Sequence, residues 1–221
     1  MKHSHMKNLL LMLYQNKFFL VIELFILIGI PLVLIYLNPP TIDYRLKVMW
    51  GGIAYIWFVT NVLNISLGKL GLILHNFWDA AKDLIVPTFL TILTLLSLAY
   101  LYPVSIISQT EHIIVGSYSL IYVIGGYFLL SAPIQEFIFR SFLLSRLEFV
   151  STNRRFLIFT SALIFGSIHL PLNNIGLTIG AYVLGMIWAN NFLQHRNLFA
   201  VWLSHSLIGG VFLWIVHLSI T

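Results

Sequence analysis

The sequence predicts an all-α, polytopic membrane protein with seven or eight transmembrane helices, and three observations carry that prediction. Hydrophobic residues fill 59% of the 221 positions while Asp, Glu, Lys and Arg fill only 9%, against about 25% charged residues in a soluble domain. The mean hydropathy is +0.94, and windows of roughly 20 apolar residues, the length that crosses about 30 Å of hydrocarbon, recur along the whole chain. No polar stretch between them is long enough for a separate soluble domain, so residues 1–221 read as a single integral membrane domain.

Taken in order, the expected spans are 18–37, 48–67, 84–107, 113–132, 156–169, 174–190 and 198–220, with a further helix at 134–149. The first follows a polar segment with Lys2, Lys7 and Lys17 and has no small-residue cleavage site after it, so it reads as a retained span and not a removed signal peptide. Pro39-Pro40, "GKLG" at 68–71, "STNRR" at 151–155, "PLNN" at 171–174 and "QHRN" at 194–197 punctuate the spans. Residues 113–149 would be about 55 Å long as a straight helix, too long for one perpendicular crossing. They form either one long helix bent at Pro133 or two helices. Counting one crossing, with a cytoplasmic N-terminus, puts Arg146, Arg154, Arg155 and Arg196 on the cytoplasmic side, as the positive-inside rule requires.

Composition also excludes several function classes. The net charge of +5 comes from basic residues dispersed at segment ends, which is the pattern of helix orientation and not of nucleic-acid binding. With no cysteine there is no disulfide, thiolate metal site or cysteine nucleophile. H-E-x-x-H and G-x-S do not occur, and the aspartates Asp43, Asp79 and Asp83 all lie in connecting segments, which removes zinc-protease, rhomboid-type and aspartyl-type chemistries.

Ionisable groups inside spans cost roughly 3 kcal/mol or more at the centre and are functional candidates by default. Glu23, Glu136, Arg140, His169, His205 and His217 are those groups. Glu23, six residues after Lys17, and His217 read as interfacial. Glu136 and Arg140 stand at i and i+4, on one helix face, where acid and base neutralise each other. Alone, such a pair could simply fix helix packing. A glutamate with two histidines in later spans is also the raw material for activating water. A small transporter using Glu23 and Glu136 as proton sites is a third reading, but it calls for an internal symmetry the sequence lacks.

"QEFIFRSFLLSRL" at 135–147, "FGSIH" at 165–169 and "HSLIG" at 205–209 resemble, in order and spacing, the three motifs of the CPBP intramembrane proteases (CAAX protease and bacteriocin-processing, also called Abi). Those motifs read E-E-x-x-x-R, F-x-x-x-H and H-x-x-x-N or H-x-x-x-D on a core of about eight membrane helices, and the resemblance covers about residues 80–220. It implies a CAAX-protease-like helical core with Glu136 as the second glutamate, Arg140 as the arginine, and His169 and His205 as the two histidines. Two positions depart: Gln135 replaces the first glutamate, and Gly209 replaces the Asn or Asp.

On this resemblance the expected activity is hydrolysis of a peptide bond in a membrane protein or lipidated peptide, in a bacterial inner membrane. Glu136 is the expected base, His169 shares the water, His205 serves the oxyanion, Arg140 holds Glu136 and Gln135 orients water, since an amide both donates and accepts. This requires the helix to present Glu136 to the cavity, and Gln135 points about 100° away from it. Asn173, Asn174, Asn190 and Asn191 could stand in for the missing third-motif amide, although each reads more simply as a cap or turn residue. Glu136, His169 and His205 could together hold a divalent metal such as zinc with an open position for water. The alternative is a catalytically silent relative, in which Glu136 only neutralises Arg140 and the protein acts as a peptide-binding or bacteriocin-immunity membrane protein.

Overall fold

A computed structural model describes residues 2–38, 44–101 and 119–218 of the chain. Pro39, Pro40 and Asp43, and the parts of the expected spans at 102–107, 113–118 and 219–220, lie outside the described residues. Among those described the secondary structure is helical, with no strand. After an N-terminal helix α1 (Lys2–Gln15), Asn16 accepts hydrogen bonds from Phe18 and Phe19 N–H and so caps α2, which runs Lys17–Leu37. Then come α3 (Arg45–Val62), α4 (Phe77–Leu101), α5 (Leu120–Leu147), α6 (Arg154–Ser167, followed by a 3-10 turn Leu170–Leu172), α7 (Ile175–His195) and α8 (Leu198–Leu218).

Six of these helical segments are long and apolar enough to cross a membrane: α2, α4, α5, α6 with its 3-10 turn, α7 and α8. The seventh expected span, 48–67, is α3, which ends at Val62 and is not among the six. The outer faces carry exposed Phe25, Phe89, Leu93, Ile121 and Leu163, as a lipid-facing surface requires. α8 packs along α4 and against α5, while α6 packs against α7. The main core joins these helices through Leu84, Phe139, Leu143, Phe165, Trp188 and Val201.

Residues 120–147 form one continuous helix, so Pro133 neither breaks nor ends it. Proline has no N–H, and its ring crowds the carbonyl one turn earlier. A π turn at Tyr127–Ser131 widens the helix just ahead of it, with Ala132 N–H bonded to Tyr127 O. At 28 residues, about 42 Å by helical rise, this is a single crossing. A second π turn at Phe137–Phe142 follows Glu136 directly. There Leu143 N–H reaches Ile138 O in place of Phe139 O, and Ser161 Oγ on α6 donates to Phe139 O at 3.1 Å. In a bilayer a displaced carbonyl needs such a partner.

One end of the bundle is tied by hydrogen bonds. Leu198 N–H donates to Gly71 O at 2.9 Å, Asn197 Nδ2 to Ile73 O at 2.9 Å, and Ser141 Oγ to Leu70 O. Glu148 pairs with Lys69 at 3.2 Å and with Arg196. Gly71 has φ +74, and a Cβ there would run into Phe192 and the Leu198 backbone, so glycine is what lets this loop close. The segments carrying Lys69, Arg154, Arg155 and Arg196 meet at this end, with Arg154 bonded to Asn190 near the end of α7. Arg146, in the last turn of α5 two residues before Glu148, is wholly buried inside the bundle.

Candidate active site

The first motif lies at the middle of α5, where the helix passes from lipid into the protein core. Glu136 and Arg140 are both 0% exposed. Glu136 Oε1 accepts a hydrogen bond from His205 Nδ1 at 2.7 Å, and Oε2 lies 3.2 Å from Arg140 Nε. The Arg140 nitrogens make no hydrogen bond among the described residues. Their charge is met by Glu136 and by aromatic faces, with the guanidinium 4.4 Å from the Phe165 ring centroid and 5.6 Å from that of Trp188.

His205 comes from α8. Its ring stacks on Trp188 at 4.5 Å, and its Nε2 lies 2.8 Å from the Tyr127 hydroxyl on α5. Trp188 is held in turn by donating to Ser204 Oγ at 3.0 Å, and Ser204 bonds Thr88 on α4 at 2.7 Å. The second motif reaches the same place from α6. Phe165 lies edge-on to both histidines, with centroids 5.2 Å from His169 and 5.6 Å from His205. His169 follows the end of α6, where Pro171 helps turn the chain into the 3-10 turn. Its Nδ1 donates to Phe165 O at 3.0 Å, which leaves Nε2 with its lone pair.

These groups border one cavity of about 2250 Å3 with mainly apolar walls. Its polar lining includes Gln135, Ser131, Tyr127, His169 and His205, and it extends along α2 and α3 past Gly51 and Gly52. Gln135 Nε2 donates to Ser131 Oγ at 2.9 Å. Gln135, His169 and His205 all stand in the wall of this cavity. Glu136 is not part of that wall. It stands behind it, with one oxygen bonded to His205 and the other facing Arg140, so the helix presents Gln135 and not Glu136 to the cavity.

Three further expectations meet the geometry. Glu23, expected near the membrane interface, is buried among the helices: its Oε2 accepts from Arg146 Nη2 at 2.7 Å and Nε at 3.0 Å, and its Oε1 accepts from Tyr55 at 2.8 Å. With both span carboxylates paired to arginines, neither stands as the lone acid that a proton-coupled transporter would use. Asn174 caps α7 by accepting from Leu177 N–H, Asn190 accepts from Arg154, Asn191 donates to Ala80 O, and Asn173 forms a left-handed turn at φ 53. His205 Nε2 is met instead by the hydroxyl of Tyr127 at 2.8 Å, a residue that the ionisable groups singled out in the spans do not include. The donor set does not fit a metal shared by Glu136, His169 and His205. A direct hydrogen bond at 2.7 Å leaves no place for an ion between Glu136 and His205, His205 Nε2 is bonded to Tyr127, and no trio of His, Asp or Glu among the described residues is grouped as a ligand set.

Residues 117–211 match the family model described as "Type II CAAX prenyl endopeptidase Rce1-like". The match covers less than half of the chain but spans all three motifs, and it is consistent with the family that those motifs resemble. No curated protein and no solved structure matches the chain.

Proposed function

We propose that the protein is an intramembrane endopeptidase, hydrolysing a peptide bond in a membrane-associated protein or lipidated peptide in a bacterial inner membrane. The observation that carries this reading is His169. Its Nδ1 hydrogen is committed to Phe165 O, so Nε2 is a proton acceptor on the wall of an apolar cavity that also holds Gln135 and His205. Water held between the Gln135 carboxamide and His169 Nε2 gives up a proton to His169 as its oxygen attacks the carbonyl carbon. When the C–N bond breaks, the same proton passes from His169 to the departing amine.

In this scheme Glu136 is a positioning residue and not the base. It fixes the tautomer and orientation of His205 while Arg140 compensates its charge. The cavity exceeds the 300–1,000 Å3 usual for small-molecule sites, and its long apolar walls suit an extended segment with a greasy appendage.

A second reading, a peptide-binding or immunity protein without hydrolysis, draws on one observation: the cavity position that carries a carboxylate in the family holds the Gln135 amide. Reconstituting the chain in liposomes with a library of membrane peptides separates the two. Wild type is expected to cleave, and Gln135→Glu to raise turnover by about 10² or more, since a positioned acid or base contributes about 10²–10⁴-fold. Silence in wild type with cleavage by Gln135→Glu would establish the binding reading instead.

A further inference from the structure

The third motif departs from the family pattern at Gly209, and the space that a side chain there would occupy is already filled. A Cβ on Gly209 would overlap the ring edge and hydroxyl of Tyr127. Glycine is what admits the ring, which meets His205 edge to face with centroids 5.8 Å apart. Tyr127 enters from the π turn of α5, the turn that also accommodates Pro133.

The hydrogen-bond directions follow from Glu136. Its carboxylate can only accept, so His205 Nδ1 carries the hydrogen of the 2.7 Å bond. Nε2 of the neutral ring is then an acceptor, and the Tyr127 hydroxyl donates to it at 2.8 Å. Both nitrogens of His205 are engaged inside the protein, leaving it no N–H for a substrate. Tyr127, His205 and Gly209 all border the cavity.

We propose that Tyr127, standing in the space a side chain at position 209 would take, supplies an oxyanion donor, with its phenol meeting the carbonyl oxygen of the scissile bond and Glu136 and His205 acting through it as positioning residues. The inference rests on the hydrolase reading above. As negative charge gathers on the carbonyl oxygen, the phenol hydrogen turns from His205 Nε2 to that oxygen. A neutral hydrogen bond is exchanged for a charge-assisted one, roughly twice as strong. No covalent bond changes in this step, so hydrolysis needs no co-reactant beyond water.

A tyrosine that only fills the notch beside Gly209 would not need its hydroxyl, which makes Tyr127→Phe the decisive variant. In liposomes, with a peptide that wild type cleaves, Tyr127→Phe is expected to lower kcat by about 10²–10³, the loss typical of one oxyanion donor. KM should stay within about threefold, because the interaction is made only in the transition state. The complementary arm is a swap. Tyr127→Ala vacates the notch and loses activity, and adding Gly209→Asn puts an amide into it and should restore at least about 10-fold, amides being able to fill such a role. Gly209→Asn alone, with the ring in place, should lose activity. Cleavage that persists in Tyr127→Phe within about threefold would overturn this role and leave the hydrolase reading standing. An absence of cleavage by wild type overturns the reading itself, and the role with it.

Discussion

His169→Ala is expected to lower peptide cleavage by about 10³-fold while the protein still inserts and folds, within the 10²–10⁴ that a positioned general base contributes. The backbone around His169 does not depend on its ring: His169 N–H donates to Gly166 O at 3.0 Å and Leu172 N–H to His169 O at 3.1 Å. The ring itself is half-buried, and its loss removes one hydrogen bond to Phe165 O, a net loss of about 1 kcal/mol in stability. A large fall in rate would therefore not be a folding effect. His169→Gln sharpens the point, since glutamine can keep a donor near Phe165 O but cannot take a proton from water. Initial rates in liposomes, with thermal unfolding recorded alongside, make the measurement. Activity of His169→Ala within 10-fold of wild type would mean that water is activated elsewhere, and the proposed chemistry would fail.

Much of this arrangement was legible in the sequence, for identifiable physical reasons. Apolar windows and their polar breaks located the helices because the bilayer dictates their length and composition. α4 nevertheless begins at Phe77, seven residues before the expected 84. Asp79, Lys82 and Asp83 read as a connecting segment, yet charges are tolerated in the outermost turns of a membrane helix, where they reach water, and Asp83 there bonds His195 at 2.7 Å. Gln135, His169 and His205, drawn from three separate motifs, all border one cavity.

Which of Gln135 and Glu136 faces that cavity could not be read. Apolar residues surround both on α5, so periodicity marks no buried face, and the π turn at Tyr127–Ser131 shifts every side chain that follows it. Tyr127 escaped for a different reason. Its clue was an absence, a glycine where the pattern expects a side chain, and the residue that fills the gap lies two turns before Gln135 on the same helix. The partner of Glu23 could not be read either, because its distance from Lys17 says nothing about Arg146, 123 positions away.

That same pair gives the largest expected effect on stability. Glu23→Ala should cost about 3–5 kcal/mol, because removing one partner leaves a buried charge uncompensated, a large share of the 5–15 kcal/mol typical of a folded domain. Arg146 would keep only its hydrogen bond to Tyr14 O and the faces of Tyr14 and Phe149, 5.6 Å and 5.8 Å from the guanidinium. Tyr55 would lose the acceptor that ties α3 to α2. The cluster thus joins the end of α1, α2, α3 and the C-terminal turn of α5, and Tyr14, Glu23 and Tyr55 also line the cavity. Thermal unfolding in detergent should show the loss in Glu23→Ala and in Arg146→Leu alike. The double variant Glu23→Leu with Arg146→Leu should be clearly less destabilised than either single, since an apolar pair carries no stranded charge and such replacements are often neutral. Equal losses in single and double variants would show that packing volume, and not the ion pair, holds these helices together. A Glu23→Ala loss below about 1 kcal/mol would match an exposed pair and overturn this role for Glu23.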